Sequence, residues 1–199
     1  MGISERKQRQ MEEVRATILK QSWQIVKDEG WQSLSIRKIA DAIEYSTPVV
    51  YRHFESKDAI LEEFSREGYA LLADKLCCAK ADHSSPDQQL LAMSYAYWEF
   101  AKQHPKHYQI MYGLGIPTCE MVQEIDEIKQ VSDILNESIA AAIKLSKNPD
   151  VDIHLKRTTF WSILHGLVAI SAISAPGCPE KALLTLEDAT KGFIKALMN

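Results

Sequence analysis

Residues 34–57 read Leu34-Ser35-Ile36-Arg37-Lys38-Ile39-Ala40-Asp41-Ala42-Ile43-Glu44-Tyr45-Ser46-Thr47-Pro48-Val49-Val50-Tyr51-Arg52-His53-Phe54-Glu55-Ser56-Lys57. Ser35 is a helix N-cap, because its hydroxyl can accept from an otherwise unpaired backbone N–H. Leu34 and Ile39 flank that cap at the spacing of a hydrophobic staple. Ile36, Ile39, Ala40 and Ile43 then form one apolar face, and Ala40 is small enough for a second helix to cross closely. After the short turn Ile43-Glu44-Tyr45, Ser46 can cap a second helix over Thr47 to His53, with Pro48 tolerated in the first turn. Val50 and Phe54 point inward by this spacing. Ser56 caps the next helix, which Lys57 begins, and the free N–H groups there add to the lysine charge to suit an anion such as a phosphate.

The outward side of the second helix carries the chemistry of a DNA reader. Thr47 offers a hydroxyl, Pro48 and Val49 offer apolar contact to a thymine methyl, and Tyr51, Arg52 and His53 reach phosphates or base edges. The same spacing is also that of an ordinary three-helix packing unit with a solvated surface.

Around this segment the whole chain reads as helix. Apolar residues recur at helical spacing, as in Val14, Ile18, Ile25 and Val26, and again in Ile60, Leu61, Phe64, Leu71 and Leu72. Proline and glycine punctuate rather than interrupt, at Gly30, Pro86, Pro105, 113–117, Pro149 and 176–179. The pattern predicts helices over roughly 8–28, 35–42, 46–53, 57–81, 87–103, 105–112, 119–146, 151–175 and 179–197. The expected fold is all-α with about nine helices, three short ones at the start and longer ones after. A head over residues 1–56 and a larger helical body over 57–199 follow from those lengths.

Composition narrows the class. The 199 residues are 46% apolar, enough for a sizeable core without staples. Four cysteines, at 77, 78, 119 and 178, include no C-x-x-C pair and an adjacent doublet unsuited to a disulfide framework, so a reducing cytoplasm is expected. Ser4-Glu5-Arg6-Lys7 is followed by no signal-peptide core. The most apolar stretch, 160–175, is interrupted by Ser162, His165, Ser171 and Ser174, which fits a buried helix better than a membrane span. The net charge of −4 is unevenly spread: residues 1–60 carry 10 Lys or Arg against 9 Asp or Glu, and residues 61–199 carry 13 against 18. The first third is therefore the part with the more favourable charge for a polyanion.

Three stretches of the head, Ile18-Leu19 to Gly30, Leu34 to Ala40 and Tyr51-Arg52-His53-Phe54-Glu55-Ser56-Lys57, resemble the DNA-binding domain of the tetracycline-repressor (TetR) family. Tyr-x-x-Phe-x-x-Lys is the most specific portion. The resemblance implies a ligand-responsive, homodimeric regulator of transcription in which Arg37 and the helix from Ser46 through Thr47, Pro48, Val49, Arg52 and His53 meet the major groove. Tyr51 and Lys57 would hold phosphates. One departure is Glu44, at a turn position where the family has glycine, and a left-handed backbone there costs a non-glycine residue about 1 kcal/mol. Trp161-Ser162-Ile163-Leu164-His165-Gly166 looks like the Trp-x-x-x-His-Gly signature of one class of TetR C-terminal domains. By the same resemblance the last two long helices form the dimer.

Aromatic and sulfur side chains gather in the body, and Trp98, Met111, Tyr112, Met121, Phe160, Trp161 and His165 are the candidates to line a partly apolar effector site. Each is also what a core needs. His165 suits either a ligand hydrogen bond or a buried polar network. His104 and His107 lack a third metal ligand, and no cofactor is expected. No nucleophile elbow, phosphate loop or zinc motif is present, so no enzyme activity is expected. The expected partners are double-stranded operator DNA, a small-molecule effector and a second copy of the chain, with no membrane. The competing reading is an all-helical small-molecule binding protein or enzyme whose helix-turn-helix is vestigial, favoured by Glu44 and the acidic net charge.

Overall fold

The computed structural model describes residues 3–113, 125–147, 150–173 and 179–199, and every element among them is helical. Nine α-helices follow one another among the described residues: α1 (Ile3–Glu29), α2 (Ile36–Ala42), α3 (Thr47–Tyr51), α4 (Lys57–Ala81), α5 (Pro86–Gln103), α6 (Pro105–Gly113), α7 (Asp126–Lys144), α8 (Ile153–Ile173) and α9 (Pro179–Met198). A single 3-10 turn (Trp31–Ser33) joins α1 to α2. The all-α expectation and most of the helix bounds hold. The predicted start of the seventh helix, 119–124, lies outside the described residues.

The chain forms two compact units. The first comprises Met1–Glu67 and Lys106–Gly115, and the second Gly68–Pro105 and Ile116–Asn199. Helix α4 thus runs through both, and α6, although distant in sequence, belongs with the head.

The core of the first unit is built by Ile18, Val26, Leu34, Ile39, Ala40, Ile43, Val50, Phe54, Ile60, Leu61, Phe64 and Ile110. Fully burying one such side chain stabilises by about 1.5–3 kcal/mol, so this cluster is what fixes the short helices, which are too brief to persist alone. Two contacts seat α6. The His107 ring packs on Trp23 with centroids 4.2 Å apart, its Nε2 3.7 Å from Glu67 Oε2. Gly113 lies so close to Trp31 that a Cβ there would come within 2.9 Å of the indole.

In the second unit α5, α7, α8 and α9 pack on one another around Leu90, Met93, Tyr97, Phe100, Leu135, Ile139, Phe160, Leu164 and Leu186. Phe160 and Phe193 tie α8 to α9 with ring centroids 5.0 Å apart. No helix among the described residues is long and apolar enough to cross a membrane.

Candidate DNA interface and sensor residues

Three serine N-cap positions mark out the reading segment, and two of them form cap bonds. Ser35 Oγ accepts from Lys38 N–H at 3.3 Å and starts α2, and Ser56 Oγ accepts from Ala59 N–H at 3.1 Å and starts α4. Ser46 occupies the N-cap position of α3 but makes no side-chain cap bond, contrary to the expectation from sequence. The reason is local. Pro48 has no N–H to donate, and the Val49 N–H bonds the Ser46 carbonyl at 2.9 Å, so neither donor is left for the hydroxyl. That hydroxyl stays exposed on the outer side of α3.

Between α2 and α3 the chain turns at Glu44, whose φ of 58° is the only positive φ of a non-glycine residue among those described. Tyr45 N–H bonds Ala40 C=O at 3.0 Å and Glu44 N–H bonds Asp41 C=O at 3.3 Å, the paired bonds of a Schellman ending. Glycine takes this conformation without a Cβ penalty. Glu44→Gly is therefore expected to raise stability by about 0.5–1 kcal/mol, read as an increased denaturant midpoint at constant slope, and to tighten DNA binding by removing a carboxylate. A lower midpoint would contradict the assignment.

Helix α3 is two-sided. Val50 is fully buried and Phe54 nearly so, whereas Tyr51 is 54% exposed and Ser46, Pro48 and Arg52 are exposed as well. Thr47, Val49 and His53 are half-buried, and Lys57 is half-buried at the start of α4. Arg37 is exposed on α2. All nine sequence-predicted DNA contacts thus lie in the first unit, and none is sealed in its core.

Sequence reasoning missed Arg15, from α1. Its guanidinium lies 4.8 Å from the centre of the Phe54 ring and 2.5 Å from Glu63. Burial, then the charges of Arg52 and Arg15, hold the His53 imidazole below its ordinary pKa of 6.5. In free protein at neutral pH His53 is accordingly neutral. Were His53 to meet phosphates they would favour its charged form, so DNA binding would take up a proton and affinity would rise as pH falls from neutral towards the lowered pKa. His53→Gln is expected to flatten that rise, measured by fluorescence anisotropy at fixed salt; an unchanged pH slope would exclude His53 from the interface.

The predicted sensor residues divide between the two units. Met111, buried, and Tyr112, packed on Tyr108, belong to α6 in the first unit. Trp98, Phe160, Trp161 and His165 belong to the second, with Trp98 and Phe160 buried and the other two half-buried. Met121 lies outside the described residues. Trp161 and His165 stack nearly parallel, 9° apart at 5.1 Å, one helical turn along α8, and burial lowers the His165 pKa. His104 stacks on Phe100 while His107 packs on Trp23, so the two are held by different neighbours. No group of three potential metal-binding side chains occurs among the described residues.

Two family models match the chain: one described as bacterial regulatory proteins of the tetR family over residues 18–70, the other as a tetracyclin repressor-like C-terminal domain over 90–187. The chain belongs to the TetR family. The HTH-type transcriptional regulator YobS of Bacillus subtilis is 24% identical over 176 residues, covering 88% of this chain and 87% of that protein. In fold, this TetR protein is similar to a Rhodococcus protein of unknown function (TM-score 0.75, 20% identity, 93% and 95% of the two chains). It is also similar to the transcriptional regulator FadR of Bacillus subtilis, solved in complex with stearoyl-CoA (TM-score 0.65, 15% identity, 92% and 97%). A ligand-responsive DNA-binding regulator of transcription is thus the function that the family and its relatives support for this chain.

Proposed function

We propose that this TetR regulator is a homodimeric repressor that leaves a near-palindromic operator when a small, partly apolar effector binds its helical body. The observation that carries the DNA half of this reading is the division of α3 between the buried Val50 and the exposed Tyr51, Arg52 and Pro48. An exposed helix of this composition suits the major groove, where Thr47, Pro48, Val49 and Arg52 reach base edges together with Arg37 of α2. Tyr51, Lys57, His53 and the exposed Ser46 hydroxyl serve phosphates. Two-fold symmetry in the protein calls for two-fold symmetry in the DNA, with recognition helices about 34–36 Å apart.

The dimer is assigned to α8 and α9. Their outer sides expose Leu155, Ile170 and Leu184, each about three-fifths bare, and Gly166 and Gly192 there face open space. Glycine inside a helix costs about 1 kcal/mol relative to alanine, and no neighbour among the described residues requires it at either position, whereas a second copy approaching closely would.

The effector reading rests on the second unit. Trp98, Phe160, Trp161 and His165 are carried by α5 and α8, while Thr190 Oγ1 on α9 and Asn136 Oδ1 on α7 are buried without a hydrogen-bond partner among the described residues. An apolar molecule with a few polar groups would meet both kinds of surface. FadR's stearoyl-CoA is a molecule of that sort. Effector binding selects a dimer with the wrong helix spacing, and a coupling of about 1–3 kcal/mol lowers operator affinity by roughly 5- to 150-fold. No chemical step is involved, and the site of action is the cytoplasm, where the DNA is. The DNA-reading surface is assigned to residues 1–56 together with Lys57 at the start of α4, and sensing and dimerisation to the body over 57–199.

Substitution separates the roles. Tyr51→Phe with Lys57→Ala is expected to weaken binding to all sequences alike and to reduce the salt slope by about one per protomer, since only Lys57 carries charge. Thr47→Ala and Arg37→Ala are expected to change which bases are preferred, in a selection from random duplexes. Equal effects of every substitution on specific and random DNA would contradict the division.

A further inference from the structure

Outside the reading helix, the beginning of α1 extends beyond the head core. Val14 is the first residue of α1 packed against the head core, and residues 4–13 are all exposed. The outermost part of this overhang, residues 4–11, carries Arg6, Lys7 and Arg9 against the single carboxylate Glu5. Glu12 and Glu13 lie nearer the core, with Glu12 Oε1 accepting from Gln8 Nε2 at 3.2 Å.

Contacts within the first unit show which way the overhang runs. Trp23 lies against Phe64, with ring centroids 4.9 Å apart, and Arg15, two turns nearer the N-terminus, lies over Phe54. Arg15 also pairs with Glu63 of α4, so moving down α1 from Trp23 to Arg15 leads towards the first turns of α4 and the connection before it, which holds His53 and Ser56 and ends at Lys57. The overhang continues in that direction. At 1.5 Å per residue, Lys7 stands about 12 Å beyond Arg15, and Lys7, Met11 and Arg15 follow one another at helical i, i+4 spacing.

The geometry points to a second DNA-binding element: we propose that Arg6, Lys7 and Arg9 contact backbone phosphates flanking the half-site that α3 reads. Side-chain charge carries this assignment, together with the continuity of the overhang with the Arg15, His53 and Lys57 end of the reading surface. It also accounts for basic residues in a chain of net charge −4 being displayed on a helix extension that buries nothing. The inference rests on the DNA-binding reading and extends it to a segment outside the helix-turn-helix.

The test uses the full chain with a fluorescent 30-base-pair mixed-sequence duplex and, in parallel, a duplex enriched from a random pool by the wild-type protein. Anisotropy is measured across a salt series. Arg6→Gln, Lys7→Gln and Arg9→Gln are combined, since glutamine keeps the helix while removing charge. The triple variant is expected to bind both duplexes about tenfold or more weakly at low salt and to lose about two to three from the slope of log K against log salt per protomer. Glu5→Gln is expected to tighten both, whereas Lys27→Gln, at the far end of α1, leaves them unchanged. An unaltered slope in the triple variant overturns the proposal, and so does a loss confined to the enriched duplex, because phosphate contacts carry no sequence information. Circular dichroism reports whether the triple variant remains folded; if it does not, a tightening by Glu5→Gln supports the proposal and its absence overturns it. A wild type that binds neither duplex would instead overturn the DNA-binding reading itself.

Discussion

Phe160→Ala is expected to remove about 3–5 kcal/mol of stability, the largest single-residue loss on α8. The side chain is completely buried and its ring meets Phe193 of α9, so truncation opens a cavity in the second unit and loosens one helix from another. Trp161→Ala should cost less, since its indole is half-exposed and stacks on His165. Chemical denaturation followed by circular dichroism checks the pair. A loss below about 1 kcal/mol for Phe160→Ala would mean that the ring is not part of the core. The comparison also sorts the proposed sensor residues: a side chain whose loss unfolds the body acts as structure first, whereas one whose loss leaves stability intact and weakens effector binding acts as a contact.

The second large effect concerns assembly. Ile170→Glu combined with Leu184→Glu places two charges on the surface of each copy assigned to the dimer, so a two-fold interface would bury four of them unpaired. Sedimentation velocity is expected to show monomers, and operator affinity is expected to fall by about 10²- to 10⁴-fold because each half-site must then be bound alone. Both positions are about two-thirds exposed in the single chain, so its folding should survive. A dimer that persists would move the interface elsewhere.

Most of the head was readable because its signals are local. The Ser35 and Ser56 caps each depend on an N–H three residues away, and the inward spacing of Val50 and Phe54 is a property of one short segment. Glu44 was readable too, since a family turn that holds glycine implies the backbone conformation found there. Ser46 was misread for an equally local reason: the proline after it lacks the donor, and the remaining N–H goes to a carbonyl.

What could not be read depends on contacts between distant positions. Nothing in the sequence around Gly113 announces that Trp31, 82 residues earlier, will lie against it, nor that His107 will leave the neighbourhood of His104 to pack on Trp23. Helix α6 belongs with the head in the structure, so Met111 and Tyr112 of the predicted sensor set lie in a different unit from Trp98, Phe160, Trp161 and His165. Arg15 escaped notice because its value comes from Phe54 and Glu63, on other elements, rather than from its own spacing.

The most direct test of the account is to let the wild-type protein select duplexes from a random pool and to sequence what it retains. An exposed α3 acting from a symmetric dimer predicts an inverted repeat whose half-site centres lie about 10–10.5 base pairs, or a multiple, apart, with Thr47→Ala altering the preferred bases within each half. Retention of no common sequence, at low salt and with protein shown to be folded, would contradict it.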